Sequence, residues 1–229
     1  MKLAIFDLDN TLIAGDSDHL WGAYLVERGI VDRSVYEAAN DRFFRQYRDG
    51  TLDIDAYLRF ALAPLADNDP EDLWRWRREF VARLIQPIVL PAARGLVEDH
   101  REQGHYTLIL TATNRFVTEP IAGIFGVDAL LATEPEWRDG RYTGAVTGRP
   151  TFREGKVDAL MAWIEDRDVS LDDSVFYSDS HNDLPLLERV REPVAVDPDP
   201  QLREVADRRD WPVITLRQDD TDTHDQSFH

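Results

Sequence analysis

The sequence predicts an α/β fold: a parallel sheet core with a helical bundle inserted after its first strand. Three observations carry that expectation. LAIF at residues 3–6 is apolar at every position, as in a strand buried on both faces. Between Asp16 and Val89 the apolar residues recur at helical spacing with no strand-like run among them. From Pro91 to Leu216 apolar runs and helical segments alternate, the rhythm of a parallel sheet covered by helices.

The elements follow in order. A strand is expected over 2–6, then helices over 17–29, 34–48, 54–66 and 71–87, broken at Gly29, Gly50 and the DNDP turn of 67–70. LWGAYLV, FFRQY, YLRFAL and LWRWRREFVARLI supply their apolar faces, and Trp74 and Trp76 are assigned to packing between helices. PAARGLVEDHREQG reads as a helix beginning at Pro91, YTLILT as a buried strand, RFVTEPIAGIFG as a helix and VDALLAT as a strand. Asp139-Gly140, between short β-prone runs in EWRDGRYTGAV, marks a hairpin. A helix around KVDALMAWIED, the strand SVFYSD, a short helix, and the strands PVAVD and PVITL complete the sheet. The expected division is a core of 1–15 and 89–217, an insertion of 16–88, and a disordered polar tail of 218–229 whose His224 and His229 have no role.

Composition narrows the function. With 229 residues, 43% of them hydrophobic, the chain can bury one sizeable core and fold alone. Its net charge of −18 argues against a nucleic-acid or anionic-membrane partner, both of which need a basic surface. A small phosphate ester remains compatible, because a local positive site with a metal binds an anion whatever the wider surface carries. There is no cysteine, hence neither a disulfide framework nor a thiolate metal site. Without a signal-peptide pattern or an apolar stretch near the ~18 residues of a membrane helix, a cytoplasmic location is expected.

Asp7 and Asp9 stand at the end of the first strand. Burying one ionised carboxylate without a partner costs several kcal/mol, and two together repel, so a positive group belongs there. Thr111, and Asp179 with Asp183, stand at the carboxyl ends of later strands, and Lys156 at a helix start. In open parallel sheets ligands bind at that edge, so these residues can converge. Mg²⁺, which takes oxygen ligands, waters and substrate phosphate, would neutralise the acids. One carboxylate can attack phosphorus to form an aspartyl-phosphate, and a second, two residues on and on the same face, can protonate the leaving alcohol and then activate water. Lysine, magnesium, a hydroxyl and backbone N–H groups would hold the transferring phosphoryl. Each motif alone is weak: a strand ending in acids, a solvated lysine or a helix cap explains it. Their joint order is not so explained.

Asp7-Leu8-Asp9-Asn10-Thr11, Thr111, Lys156 and Asp179-Ser180-His181-Asn182-Asp183 resemble the four ordered motifs of the haloacid dehalogenase-like hydrolase superfamily. The helical insertion, GKVDAL and DSHNDLPLL are similar to its phosphoserine phosphatase-like branch, which includes histidinol-phosphatases. The resemblance implies a Rossmann-like core with a helical cap, Asp7 as nucleophile, and Asp9 as acid/base and, through its backbone carbonyl, metal ligand. It implies Asp179 as the third protein ligand of magnesium beside Asp7 and Asp9, Asp183 orienting the metal's waters, and Thr111, Lys156 and Asn182 holding phosphate. Ser178 departs from the family's usual glycine without touching the carboxylates, and His181 edges the site. In phosphoserine phosphatases an arginine clamping the substrate's carboxylate matches Ala61, while the acid that meets its ammonium matches Asp16. An amine-bearing ester without a carboxylate fits better, and the expected substrate is L-histidinol phosphate, with phosphoserine the alternative. A signalling receiver shares some of these residues, but it places its phosphoacceptor on a later strand and lacks the insertion. A catalytically silent binding module on the same fold would show a lost nucleophile or metal ligand, and neither is lost here.

Overall fold

The computed structural model describes residues 1–217, and the expected disordered tail lies outside them. Strand β1 (Leu3–Phe6) is central, with every residue fully buried. It pairs in parallel with β2 (Tyr106–Asn114) on one side and β5 (Ser174–Ser178) on the other. Beyond β5 lie β6 (Glu192–Val196) and β7 (Val213–Ile214); beyond β2 lie β3 (Ala129–Arg138) and the antiparallel β4 (Arg141–Thr147), giving the order β4-β3-β2-β1-β5-β6-β7. The hairpin turns at Asp139-Gly140, both at positive φ. VDALLAT and EWR, read from the sequence as separate runs, form one strand, because Pro135 is accommodated where the pairing with β4 shifts register.

Side chains alternate across the sheet. Ala4, Phe6, Ile109 and Tyr177 face one apolar cluster, Leu3, Ile5, Leu108 and Phe176 the other. The first is covered by α5 (Pro91–Glu102), α6 (Arg115–Phe125) and the inserted helices. The second is covered by α7 (Glu154–Ile164), α8 (Leu184–Leu187) and α9 (Pro200–Arg208). Helix α9 was not expected, although Asp199 as N-cap and Pro200 at its first turn are the ordinary start signals.

The insertion contains α1 (Ser17–Glu27), α2 (Arg33–Arg48), α3 (Ile54–Asp67) and α4 (Pro70–Phe80). Each is capped by an aspartate, Asp16, Asp32, Asp53 and Asp69, whose carboxylate accepts a first-turn N–H. The single helix expected over 71–87 instead passes into a π turn at Val81–Ile85 and a 3₁₀ turn at Gln86–Ile88. Pro87 lacks the N–H that would continue the α pattern, so the ladder loosens before it. Trp21 packs on Phe80 (5.2 Å) and on Phe116 of α6 (5.7 Å), which joins insertion and sheet in one apolar cluster. Trp74 does not pack between helices as expected: it is 39% exposed and stacks on Trp137, while Trp76 lies partly buried against the cluster.

Candidate active site

Parallel pairing brings the carboxyl ends of β1, β2 and β5 side by side. Phe6 stands opposite both Ile109 and Tyr177, so Asp7 emerges between β2 and β5, its N–H bonded to the Tyr177 carbonyl. Lys156, from the first turn of α7, lies between two acids: its Nζ donates to Asp7 Oδ1 (2.7 Å) and Asp183 Oδ2 (2.8 Å), all three groups buried. Burial alone would lower the lysine's pKa, but Asp183 and Asp7 outweigh it and hold the ammonium charged. For Asp7 burial wins over Lys156, with Asp183 adding repulsion, and its carboxyl is pushed up to about 7.

Asp9 is turned by two donors. Ser17 N–H reaches Oδ1 at 2.6 Å and Thr113 Oγ1 reaches Oδ2 at 2.8 Å, yet burial, followed by repulsion from Asp16, raises its pKa to about 7. Thr11 Oγ1 donates to Asp179 Oδ1 (3.2 Å) and accepts from Asp179 N–H (3.1 Å), tying the first and last motifs together. Burial first, then Asp7 and Asp183, raise Asp179 well above the usual carboxylate range. Thr111 is buried where β2 loses its register with β3, and its Oγ1 accepts Thr113 N–H at 3.2 Å. Asn182 does not point to a free space: its Nδ2 donates to the Tyr47 carbonyl of α2 (3.0 Å), and its Oδ1 accepts from Arg153 (3.0 Å), which also holds the Gly50 carbonyl (2.6 Å). His181 is held at the edge by Asp199 (2.7 Å).

A cavity extends from Asp7 and Asp9 toward the insertion, lined by Asp16, Asp18, His19, Phe43, Tyr47, Leu52, Tyr57, Thr111 and Thr113 among others. Asp16 is therefore on its wall. Ala61 is not: it is buried in α3, one turn beyond Tyr57 on the same helix face. Burial raises Asp16 to about 7, and the same cause raises Asp18 to about 7. No lysine or arginine lines this cavity among the described residues.

The sequence reading missed Thr113, Ser17, Asp18, Tyr57 and Arg153. Thr113 was accessible to it, since it lies two residues beyond Thr111 in an extended segment. Ser178 proves to be more than a tolerated departure, because its hydroxyl donates to Asp183 Oδ2 at 2.7 Å, a bond that glycine cannot make.

The donor set can be tested against magnesium. Asp7, Asp179 and Asp183 crowd one ammonium, so the buried centre carries an excess of negative charge. No three His, Cys, Asp or Glu side chains among the described residues form a ready metal cluster by themselves. A hard cation that keeps its waters and takes only one or two carboxylates asks for less, and the all-oxygen surroundings fit it.

A histidinol-phosphatase of Neisseria meningitidis is 47% identical over 94% of this chain and 99% of its own. A phosphoserine phosphatase of Mycobacterium tuberculosis is 30% identical over 93% of this chain and 70% of its own. Among solved structures, a protein of unknown function from Bordetella pertussis is 44% identical, with TM-score 0.88 over 94% of this chain and 98% of that one. A substrate-bound phosphoserine phosphatase shares the fold at TM-score 0.70 and 19% identity, over 95% of this chain and 94% of its own. The family model for haloacid dehalogenase-like hydrolases matches residues 4–188, a span that holds every carboxylate gathered around Lys156. The chain belongs to that family.

Proposed function

We propose that this chain is a magnesium-dependent phosphomonoesterase that works through an aspartyl-phosphate on Asp7, with L-histidinol phosphate as its substrate. Lys156 holds Asp7 Oδ1, leaving the other oxygen to attack phosphorus while the ester oxygen departs. Asp9, at about 7, can give the leaving oxygen its proton and then take one from the water that hydrolyses the acyl-phosphate. Ser17 and Thr113 keep it aimed. Asp7, Asp179 and the Asp9 carbonyl would hold magnesium, which when bound offsets charge on Asp7 and the phosphoryl group. Asp183 steadies Lys156, and Thr111 with Lys156 is assigned to the phosphate. Asn182 is assigned to it as well, with its amide shared with the cap.

The observation that carries the substrate is the charge of the cavity wall: two aspartates besides Asp7 and Asp9, Asp16 and Asp18, and no lysine or arginine among the described residues. The carboxylate of phosphoserine would face Asp16 and Asp18 unpaired, whereas an ammonium is welcome. The Neisseria relative's name supports the same reading. Comparing kcat/KM for the two esters in Mg²⁺ tests it. An uncompensated buried charge costs roughly 2 to 5 kcal/mol, so a preference of about 30-fold or more for histidinol phosphate is expected. A preference for phosphoserine would end the assignment. Asp7→Asn should keep the fold and lose turnover, and a phosphoryl group trapped on any other residue would refute the nucleophile.

A further inference from the structure

Asp16 and Asp18, at the start of α1, both line the cavity, and neither has an ion-pair partner among the described residues. They are held differently. Asp16 Oδ1 is spent on capping α1 through His19 N–H at 2.8 Å. Asp18 makes no cap: the Tyr57 hydroxyl, from α3, donates to its Oδ2, and Asn114 Nδ2 approaches its Oδ1 only at 3.4 Å. One oxygen of Asp18 is thus pinned across the cavity by a neutral donor, while the other is weakly engaged. A buried carboxylate kept in place without a cation is costly, unless a ligand supplies one.

The surroundings suit a flat, nitrogen-bearing ring. His19 stacks on Phe44 (centroids 4.6 Å apart, 28° between planes), and its Nδ1 is engaged by Asn40 Nδ2 at 3.0 Å. Burial, against the opposing pull of Asp41, lowers the pKa of His19 and so favours its neutral form. Phe43 meets Tyr57 edge-on at 5.4 Å. Tyr57 thereby belongs both to the aromatic wall and to the anchor of Asp18.

We propose that Asp18, positioned by Tyr57, is a specificity-determining residue that receives an N–H of a second basic group on the ester, the imidazole of histidinol phosphate, while Asp16 receives the ammonium. The assignment rests on the substrate reading given above. An imidazole presents an N–H donor whether or not it is protonated, so Asp18 serves in both states. The aromatic wall takes the ring face, and a cationic ring gains further from it.

The test uses three esters and three proteins, with Mg²⁺ throughout. Wild type, Asp18→Asn and Tyr57→Phe are assayed on L-histidinol phosphate and on phosphoethanolamine, which carries an amine but no ring, and wild type is also assayed on phosphoserine. Replacing a charged acceptor by a neutral amide should lower the ratio of kcat/KM for histidinol phosphate over phosphoethanolamine by about tenfold, through KM rather than kcat. Tyr57→Phe should lower that ratio several-fold by freeing the carboxylate. Calorimetry with the product L-histidinol should show the same weakening, and ethanolamine binding should not follow it. An unchanged ratio in both variants overturns the role of Asp18, as does an equal loss on both esters with unchanged melting temperature. Should Asp18→Asn fail to fold, the Tyr57→Phe ratio decides. A wild-type preference for phosphoserine refutes the substrate reading itself, and is visible before any variant is made.

Discussion

Ser178 shows how one atom can matter at this centre. Its Oγ donates to Asp183, which in turn holds Lys156, which holds Asp7. Ser178→Ala leaves a buried carboxylate oxygen short of one donor, and the expected cost is about 1 to 3 kcal/mol in thermal unfolding, with a lower kcat as Lys156 loosens. An unchanged melting temperature would mean that the bond contributes nothing. Asp16 and Asp18 allow a second test at this scale. Their pKa values are raised by burial to about 7, against 3.8 for the free group. Between those values the unfolded chain has lost protons that the folded chain still holds. The stability they contribute is therefore complete below about pH 4 and lost as pH rises through 7. In metal-free protein, Asp16→Asn or Asp18→Asn should flatten the fall of melting temperature over that range, and a parallel profile would contradict the burial effect.

At the level of elements, α7 has the strictest placement because it delivers Lys156. A Cβ on Gly155 would stand 1.9 Å from the Pro150 carbonyl oxygen, so the helix start can approach that loop only with glycine there. Gly155→Ala should destabilise by about 1 to 3 kcal/mol and reduce kcat, since the adjacent lysine must move with the backbone. Gly95 of α5 is the control. Nothing lies within 4 Å of its added Cβ, and alanine there should stabilise by roughly 0.5 to 1 kcal/mol. Chemical denaturation of both variants, with kcat measured alongside, separates crowding at one helix start from a general effect of the substitution.

Over the whole molecule, the insertion and the sheet are joined in two ways. Trp21, Tyr24 and Phe80 share an apolar cluster with Phe6, Ile109 and Phe116, while polar ties run from Asn182 and Arg153 to the carbonyls of Tyr47 and Gly50. The acids of the centre face a cavity whose far wall belongs to the insertion. On the proposed function, the sheet side would supply the groups that meet phosphate, and α1, α2 and α3 those that meet the rest of the ester.

The order of strands and helices was legible because it rests on local periodicity: β1 is apolar throughout, and the inserted helices repeat apolar residues at helical spacing between breaks at Gly29, Gly50 and the DNDP turn. The acids and the lysine were legible because buried charge at strand ends needs a purpose. Helix α9 carries equally local signals, Asp199 as N-cap and Pro200 in its first turn. Other features had no local sign. That Tyr57 holds Asp18 and that Ala61 lies off the cavity depend on how α3 is set against residues distant in the chain. Period and capping act over a few residues, so composition along the chain determined the elements and their reactive groups. Which neutral donor meets which carboxylate is decided by packing across the cavity, and only the tertiary structure could supply it.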